Sequence, residues 1–166
     1  MLTKNKKKRM KKVAVVCAHG GHLEQAQVVL EAFKDCEVFL ITYDFATLKD
    51  FQHPYIKKIY CIKFFGDSFM QIAWTMLFTC FSCIRIFLKE RPRVIFSTGA
   101  EIAIPAFYIG KFLFRTKVVF LETILRRYNP TRTARLAYCV SDLFLVQWES
   151  LLPKFGKKAK YEGKIL

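Results

Sequence analysis

The chain has 166 residues, of which 53% are apolar, and its 28 lysines and arginines against 13 aspartates and glutamates give a formal net charge of +15. The length predicts one domain, since domains typically have about 100–150 residues. Such a charge attracts polyanions, either nucleic acid or an anionic lipid surface. Because 17 phenylalanines accompany the charge and a domain of this size has limited interior, the composition favours a membrane surface over nucleic acid.

The first twelve residues hold seven lysines and arginines and predict a basic arm, 1–12, that contacts anionic lipid. A signal peptide is not expected, because the apolar run that follows, 13–18, is shorter than the ~7–15 residues of a signal core. Cys80 and Cys83 have CxxC spacing, but no second pair or suitably spaced histidines complete a metal site. We therefore expect structural thiols in a reducing, cytoplasmic compartment, with no metal and no cofactor.

Strands and helices alternate along the rest of the chain. The run 13–18 is rich in β-branched residues and is typical of a strand buried on both faces. The other predicted strands are 37–43, 56–64, 93–97, 117–121 and 142–147, the predicted helices are 23–34, 67–89, 102–114 and 132–140, and 47–55 is irregular. This alternation predicts an α/β fold with a Rossmann-like, doubly wound parallel sheet in a single domain, 13–166.

The predicted helix 67–89 is the most apolar segment. Its 69–88 stretch is long enough, at about 20 residues, to span a bilayer. Both flanks of this segment are basic, so the charges do not predict which end would face the cytoplasm. A single membrane crossing would also place strands of one sheet on opposite sides of the membrane. The polar residues recur every three or four positions and form one helical stripe: Asp67, Gln71, Thr75, Thr79, Ser82, Arg85 and Lys89. We predict an interfacial helix rather than a spanning one; a wholly buried helix is the alternative. The residues predicted to meet lipid are Phe69, Trp74, Phe78 and Phe81.

His19, Gly20, Gly21 and His22 follow the first predicted strand. Ligands of open α/β sheets bind at the carboxyl ends of strands. Glycines let a substrate approach the backbone, and a helix N-terminus offers unpaired N–H groups to a phosphate. The two histidines can donate to phosphate or act as acid or base. A Gly-Gly turn alone is a weak signal, and this loop is not a full GxGxxG dinucleotide fingerprint.

Two further loops repeat this arrangement at the same predicted edge. Their candidate binding residues are Ser97, Thr98 and Gly99 after the fourth strand, and Glu122, Arg126, Thr131 and Thr133 after the fifth. The arginine loop is suited to bidentate phosphate binding. Glu101 is expected to be only a favourable first-turn acid. Three polar loops at one edge together predict a phosphate-binding site.

At these loops the sequence resembles a known family. The similarity is carried by His-Gly-Gly-His-Leu at 19–23, Ser-Thr-Gly-Ala-Glu at 97–101, Glu122 with Arg126, Pro130, Thr131 and Thr133, and Asp-Leu-Phe-Leu-Val-Gln-Trp at 142–148. The chain resembles, over 12–166, the membrane-associated subunit of split GT-B glycosyltransferases. That family includes the bacterial exopolysaccharide protein PssD and the anchor subunit of the eukaryotic dolichol-linked N-acetylglucosamine transferase. Ala134 stands where the family often has glycine.

The resemblance implies the N-terminal, acceptor-binding half of a GT-B fold of the MurG type, without a catalytic metal. A separate subunit would supply the nucleotide-sugar half, and this chain would be inactive alone. The acceptor would be a polyprenyl-diphosphate sugar at the cytoplasmic face of the cell membrane, in capsular, exopolysaccharide or lipid-linked oligosaccharide biosynthesis. Its diphosphate would lie near Gly20, Gly21, His22 and the Arg126 loop. His22 is preferred over His19 as the group that activates the acceptor hydroxyl, because His19 is closer to the strand.

Three other functions stay open. An enzyme that acts alone would need a second nucleotide-binding domain, and a whole GT-B chain is roughly twice a single ~150-residue domain. A non-catalytic membrane scaffold would not need His22 or Arg126. A nucleic-acid-binding protein has only the net charge in its favour. The donor and acceptor sugars are left undetermined.

Overall fold

The computed structural model describes residues 10–44 and 51–165, and in them seven strands form one sheet in which every pairing is parallel. The strands are β1 Lys12–Val16, β2 Glu37–Tyr43, β3 Ile56–Ile62, β4 Val94–Ser97, β5 Lys117–Leu121, β6 Leu143–Val146 and β7 Ala159–Tyr161. Their order is β3-β2-β1-β4-β5-β6-β7, and the first six follow the order of the doubly wound Rossmann fold. The predicted fold class is confirmed.

Helices cover both faces of the sheet. They are α1 Gly21–Val29, which continues as a 3-10 helix Leu30–Phe33, then α2 Phe69–Glu90, α3 Ala103–Phe112, α4 Arg132–Val140 and a 3-10 helix Glu149–Lys154. Alternate residues of β1 face opposite cores: Val13 and Val15 pack with α1, while Ala14 and Val16 pack on the side of α2, α3 and α4. A strand with a core on each face is continuously apolar, which explains the run 13–18.

Several boundaries differ from the sequence prediction by one or two residues, among them those of β1, α1 and β3. Lys12 belongs to β1 rather than to the basic arm, because it pairs in register with Glu37. α1 begins at Gly21, inside the loop predicted before it. The third strand of the prediction ends early, at Ile62. β7 is absent from the predicted elements, since its three residues are too few to show a periodicity. Residues 1–9 of the arm and 47–50 of the irregular segment lie outside the described residues.

The middle of the polar stripe of α2 faces the protein. Thr75 and Thr79 are buried, and their hydroxyls donate to the carbonyl oxygens of Gln71 and Thr75 at 2.8 and 2.7 Å. Because the helix backbone satisfies these hydroxyls, their burial leaves no unpaired polar group. The opposite side is exposed and apolar: Phe69, Met70, Ile72, Trp74, Leu77, Phe78, Phe81 and Leu88. The alternative of a wholly buried helix is therefore wrong.

Both ends of α2 are held in place. Ser68 and Gln71 form a capping box at its start. At its end the buried carboxylate of Glu90 accepts hydrogen bonds from Lys12, from Lys58 at 2.8 Å and from the Tyr60 hydroxyl at 2.6 Å. These contacts join α2 to β1 and β3. By length and composition alone α2 could cross a membrane, but in this fold one side of it is buried against the rest of the domain from Thr75 to Glu90.

Candidate functional site

The candidate site lies at the carboxyl edge of the sheet, between β1 and β4. The chain leaves β1 toward β2 on one side, and it leaves β4 toward β5 on the other. A crevice opens where the strand order reverses in this way, and open α/β sheets bind their ligands there. Gly20 and Gly21 follow β1, and Thr98 and Gly99 follow β4, so two of the predicted loops meet at this crevice.

His22 is fixed by the loop after β4. Its Nδ1 lies 3.0 Å from the carbonyl oxygen of Thr98, and the Thr98 hydroxyl donates to the carbonyl oxygen of His22 at 2.6 Å. A carbonyl oxygen only accepts, so Nδ1 carries the proton and Nε2 of the neutral ring keeps its lone pair. The imidazole packs on Gly99, where a Cβ would lie 2.8 Å from Cε1 of His22. Ser97 is buried and its hydroxyl accepts from the Gly99 N–H at 3.0 Å.

The N-terminus of α1 is open. Gly20 has φ +76° and precedes the helix without a side-chain cap, and a Cβ on Gly20 or Gly21 would meet nothing within 4 Å. The first N–H groups of a helix have no partner within it, and the helix dipole adds partial positive charge at that end. This end of α1 can therefore take an anion. His19 is half-buried in the turn before it.

The loop after β5 is held by a buried carboxyl group. Glu122 is 1% exposed; its Oε1 accepts from the Thr123 N–H and its Oε2 from the Thr131 hydroxyl, both at 3.2 Å. Thr131 in turn caps α4 by accepting from the Ala134 N–H at 2.9 Å. Burial raises the pKa of Glu122 to about 7, against the effect of these hydrogen bonds and of Arg126. Glu122 therefore shapes the loop from inside, while Arg126 is exposed.

Two buried glutamines connect these loops, and neither is among the predicted site residues. Nε2 of Gln25 donates to the Gly21 carbonyl at 3.2 Å and to the Thr123 hydroxyl at 3.1 Å. Its Oε1 accepts from the Ile124 N–H and from Nε2 of Gln147, both at 3.1 Å. Gln147 also donates to the Glu122 carbonyl at 3.0 Å. The sequence feature that could have indicated this role of Gln25 is its position between Leu23 and Ala26, among the buried residues of α1.

A separate cavity lies between the end of β2, the first turns of α2 and the turn after β4. Its volume is about 250 Å³, and it is lined by Tyr43, Phe64, Asp67, Ile72, Thr75, Met76 and Glu101. Burial raises the pKa of Tyr43, and the Glu101 carboxylate beside it acts in the same direction. Glu101, expected to be only a first-turn acid, therefore lines a concavity that joins the carboxyl edge to the start of α2.

Thr133 lies half-buried in the first turn of α4, next to the Thr131 cap. In the ranges 10–44 and 51–165 no group of three His, Cys, Asp or Glu side chains is placed to hold a metal ion. Cys80 and Cys83 are free thiols, and burial raises the pKa of Cys83 to about 12. The site thus consists of backbone N–H groups, a histidine, an exposed arginine and a polar frame beneath them.

Comparison with solved structures identifies the fold. MurG of Acinetobacter baumannii matches with a TM-score of 0.73 and 19% identity, over 91% of this chain and 45% of that chain. A UDP-GlcNAc 2-epimerase from Methanocaldococcus jannaschii matches with a TM-score of 0.70 and 15% identity, over 92% of this chain and 45% of that chain. The chain thus has the fold of the N-terminal half of a GT-B protein, as the resemblance implied.

Comparison with curated proteins finds two similar sequences. The UDP-N-acetylglucosamine transferase subunit ALG14 of Candida albicans is 32% identical over 103 residues, and that of Debaryomyces hansenii is 26% identical over 108 residues. The matches cover 58% and 61% of this chain and 46% of each relative, so the similarity spans about half the length of these relatives. Nothing in them supports a capsular or exopolysaccharide pathway. A family model described as "Oligosaccharide biosynthesis protein Alg14 like" matches residues 1–165, and the chain belongs to that family.

Proposed function

We propose that this chain is the acceptor-binding, membrane-associated subunit of a two-component glycosyltransferase in lipid-linked oligosaccharide biosynthesis. The observation that carries the proposal is the position of an open helix N-terminus and His22 at the same sheet edge as the exposed apolar face of α2. A polyprenyl-diphosphate sugar matches both features, because it combines a diphosphate with a long apolar chain. Family membership supports the same ligand class.

Each part of the site has a role in this proposal. The diphosphate binds the N–H groups after Gly20 and Gly21 and the guanidinium of Arg126. Nε2 of His22 takes the proton of the acceptor hydroxyl as that oxygen attacks the sugar carbon and the nucleotide diphosphate leaves. His19 positions the turn. The remaining predicted residues form the frame: Ser97, Thr98 and Gly99 orient His22, and Glu122, Thr131 and Thr133 shape the loop of Arg126.

A second subunit supplies the nucleotide sugar. MurG and the epimerase are chains about twice as long as the matched region, and the curated relatives are named as subunits of a UDP-N-acetylglucosamine transferase. These names support UDP-N-acetylglucosamine as the donor and a partner glycosyltransferase subunit as the chain that binds it. The chain described here is then inactive alone.

The membrane contact is interfacial and lies on the cytoplasmic face. The exposed side of α2 carries eight large apolar side chains, among them Phe69, Trp74, Phe78 and Phe81. Its other side is buried against the rest of the domain from Thr75 to Glu90, where Glu90 binds Lys12 and Lys58. A helix that crossed the bilayer would lose these contacts, whereas one that lies in the interface keeps them.

Transfer by the reconstituted pair tests the proposal. Both subunits are placed in vesicles that contain a series of polyprenyl-diphosphate-linked sugars, and the incorporation of sugar from radiolabelled UDP-N-acetylglucosamine is measured. We expect His22→Ala to lower the rate by about 10²–10⁴-fold, the range for general acid–base catalysis. His53→Ala, at the opposite edge before β3, is the matched control. Full transfer by a chain that carries His22→Ala and Arg126→Ala would instead indicate a non-catalytic scaffold.

A further inference from the structure

A basic groove lies at the amino edge of the sheet, opposite the candidate site. It has a volume of about 610 Å³ and is formed where α2 and α3 end and β4 and β5 begin. Its lining residues are Leu88, Arg91, Pro92, Arg93, Phe114, Arg115 and Lys117. Four of these side chains are basic and none is acidic, so the groove is a concentrated positive surface that the proposed transfer reaction does not use.

Two of the arginines occupy an unusual backbone conformation. Arg91 ends α2 with φ +51°, and Arg115 follows α3 with φ +52°. Glycine is the usual residue at left-handed positions after a helix, because it has no Cβ. Because glycine would fit both positions with less strain, we expect the arginine side chains to have a role there. Interaction of a cation with the helix dipole is one such role for Arg91 and Arg115. It does not apply to Arg93 and Lys117, which lie at the starts of strands in the same groove.

Three of the four basic side chains of the groove have no carboxylate partner within the described part of the chain. The ion pairs found in residues 10–44 and 51–165 include none of the guanidinium groups of Arg91, Arg93 and Arg115. Two acids at this edge bind lysines instead: Glu90 binds Lys12 and Lys58, and Asp142 binds Lys111 and Lys117, so Lys117 is the paired basic residue of the groove. Among the residues that the structure describes, nothing thus competes by an ion pair for the three guanidinium groups, and they can bind an anion.

We propose that this groove binds the phosphate of an anionic phospholipid headgroup. Arginine suits phosphate because its planar N–H groups form paired hydrogen bonds with two oxygens. A lipid fits better than a free phosphate because the groove has an apolar rim: Leu88 is exposed, and the exposed Phe112 and Leu113 directly precede its Phe114 wall. The inference rests on the proposed membrane contact of α2 and adds a headgroup site at the far end of that helix.

Vesicle binding by the full chain tests the inference. The double variant Arg91→Asn, Arg115→Asn removes two charges and keeps side chains that tolerate the left-handed conformation. Binding is measured by co-sedimentation with vesicles of equimolar phosphatidylcholine and phosphatidylglycerol. We expect affinity about 25-fold below wild type, because a basic residue at an anionic surface contributes roughly fivefold. The control Lys154→Asn, Lys157→Asn removes the same charge from exposed positions outside the groove and is expected to lose much less.

Each other outcome overturns a specific claim. Equal losses by the two double variants would mean that only net charge matters, and the groove site would be wrong. Binding of inorganic phosphate in the groove, lost in the arginine variant while vesicle binding is kept, would identify a site for free phosphate instead of lipid. A wild-type chain that binds neither the mixed vesicles nor pure phosphatidylcholine would contradict the membrane contact of the proposed function. A chain that binds both, with the arginine variant equal to its control, would contradict the groove alone.

Discussion

The imidazole of His22 lies directly on the backbone of Gly99, so that a Cβ at position 99 would stand 2.8 Å from its Cε1. This contact joins the first turn of α1, which follows β1, to the loop that follows β4; β1 and β4 pair in register at the centre of the sheet. The ring is further oriented by the hydrogen bond from its Nδ1 to the Thr98 carbonyl at 3.0 Å. The geometry of the proposed base thus depends on a residue that has no side chain.

Gly99→Ala is expected to abolish most of the transfer activity of the reconstituted pair. The new methyl group displaces the His22 ring, and the left-handed backbone at φ +124° adds strain of about 1–3 kcal/mol. We expect a rate close to that of His22→Ala. Gly163→Ala is the matched control, since its φ is +104° but nothing lies within 4 Å of the added carbon. Equal rates for the two alanine variants would show that the contact with His22 is unimportant.

Much of the fold can be predicted from the sequence, because parallel strands that are buried on both faces are continuously apolar. The prediction 117–121 coincides with β5, and 132–140 coincides with α4. The orientation of α2 is harder to predict, since Thr75 and Thr79 bond to the helix backbone and can face the core. A polar stripe therefore does not identify the solvent side of this helix.

The sequence predicts which loops form the site, but not which side chains within them contact one another. The strand ends bring the residues after β1, β4 and β5 to one edge, as the topology requires. The hydrogen bonds of Gln25 with Thr123 and Gln147 join residues 98 and 122 positions apart, and no local pattern encodes such partners. In the sequence, Glu122 likewise has the position of an acidic residue in an exposed loop. In the structure, the residues packed around it bury its side chain.

Glu90→Gln is expected to destabilise the protein by about 1–3 kcal/mol at neutral pH, because it removes a buried charge that accepts three hydrogen bonds. Burial alone would raise the pKa of Glu90, but the hydrogen bonds from Lys12, Lys58 and Tyr60 lower it to about 2. The stabilisation is therefore complete above the ordinary glutamate pKa of about 4.3, and it is lost as the pH falls through about 2. Urea unfolding of wild type and variant at pH 7 and pH 3 measures the difference in their free energies of unfolding at each pH.

The exposed Glu31 of the 3-10 helix after α1 provides the control, because Glu31→Gln changes the same charge without a buried network. We expect its stability to stay close to wild type at both pH values. A free-energy difference between Glu90→Gln and wild type that is the same at pH 3 and pH 7 would contradict the assigned pKa of Glu90.

Glu122→Gln is expected to change the pH dependence of stability in the opposite direction. Burial raises the pKa of Glu122 to about 7, so the folded state favours the protonated acid. The protonated Glu122 therefore stabilises the wild type fully below the ordinary glutamate pKa of about 4.3. This stabilisation, up to about 3–4 kcal/mol, is lost progressively as the pH rises from there through about 7. Glutamine resembles the protonated acid, so the variant should be more stable than wild type at pH 8 and close to it at pH 5. The free energies of unfolding of both proteins are measured in urea from pH 5 to pH 8. A difference between them that does not change with pH would contradict the raised pKa of Glu122.

Trp74→Ser with Phe81→Ser is expected to weaken binding to pure phosphatidylcholine vesicles without lowering the free energy of unfolding. Both rings lie on the exposed side of α2, at 59% and 62% exposure, so the fold does not depend on them. Burying a large apolar side chain contributes about 1.5–3 kcal/mol, so the loss should be tenfold or more per residue. Val28→Ser with Leu136→Ser removes two similarly exposed apolar residues from α1 and α4 and serves as the control. Because α2 stays docked through Glu90, the variant should melt like wild type, and equal vesicle binding by both double variants would show that α2 is not the membrane contact.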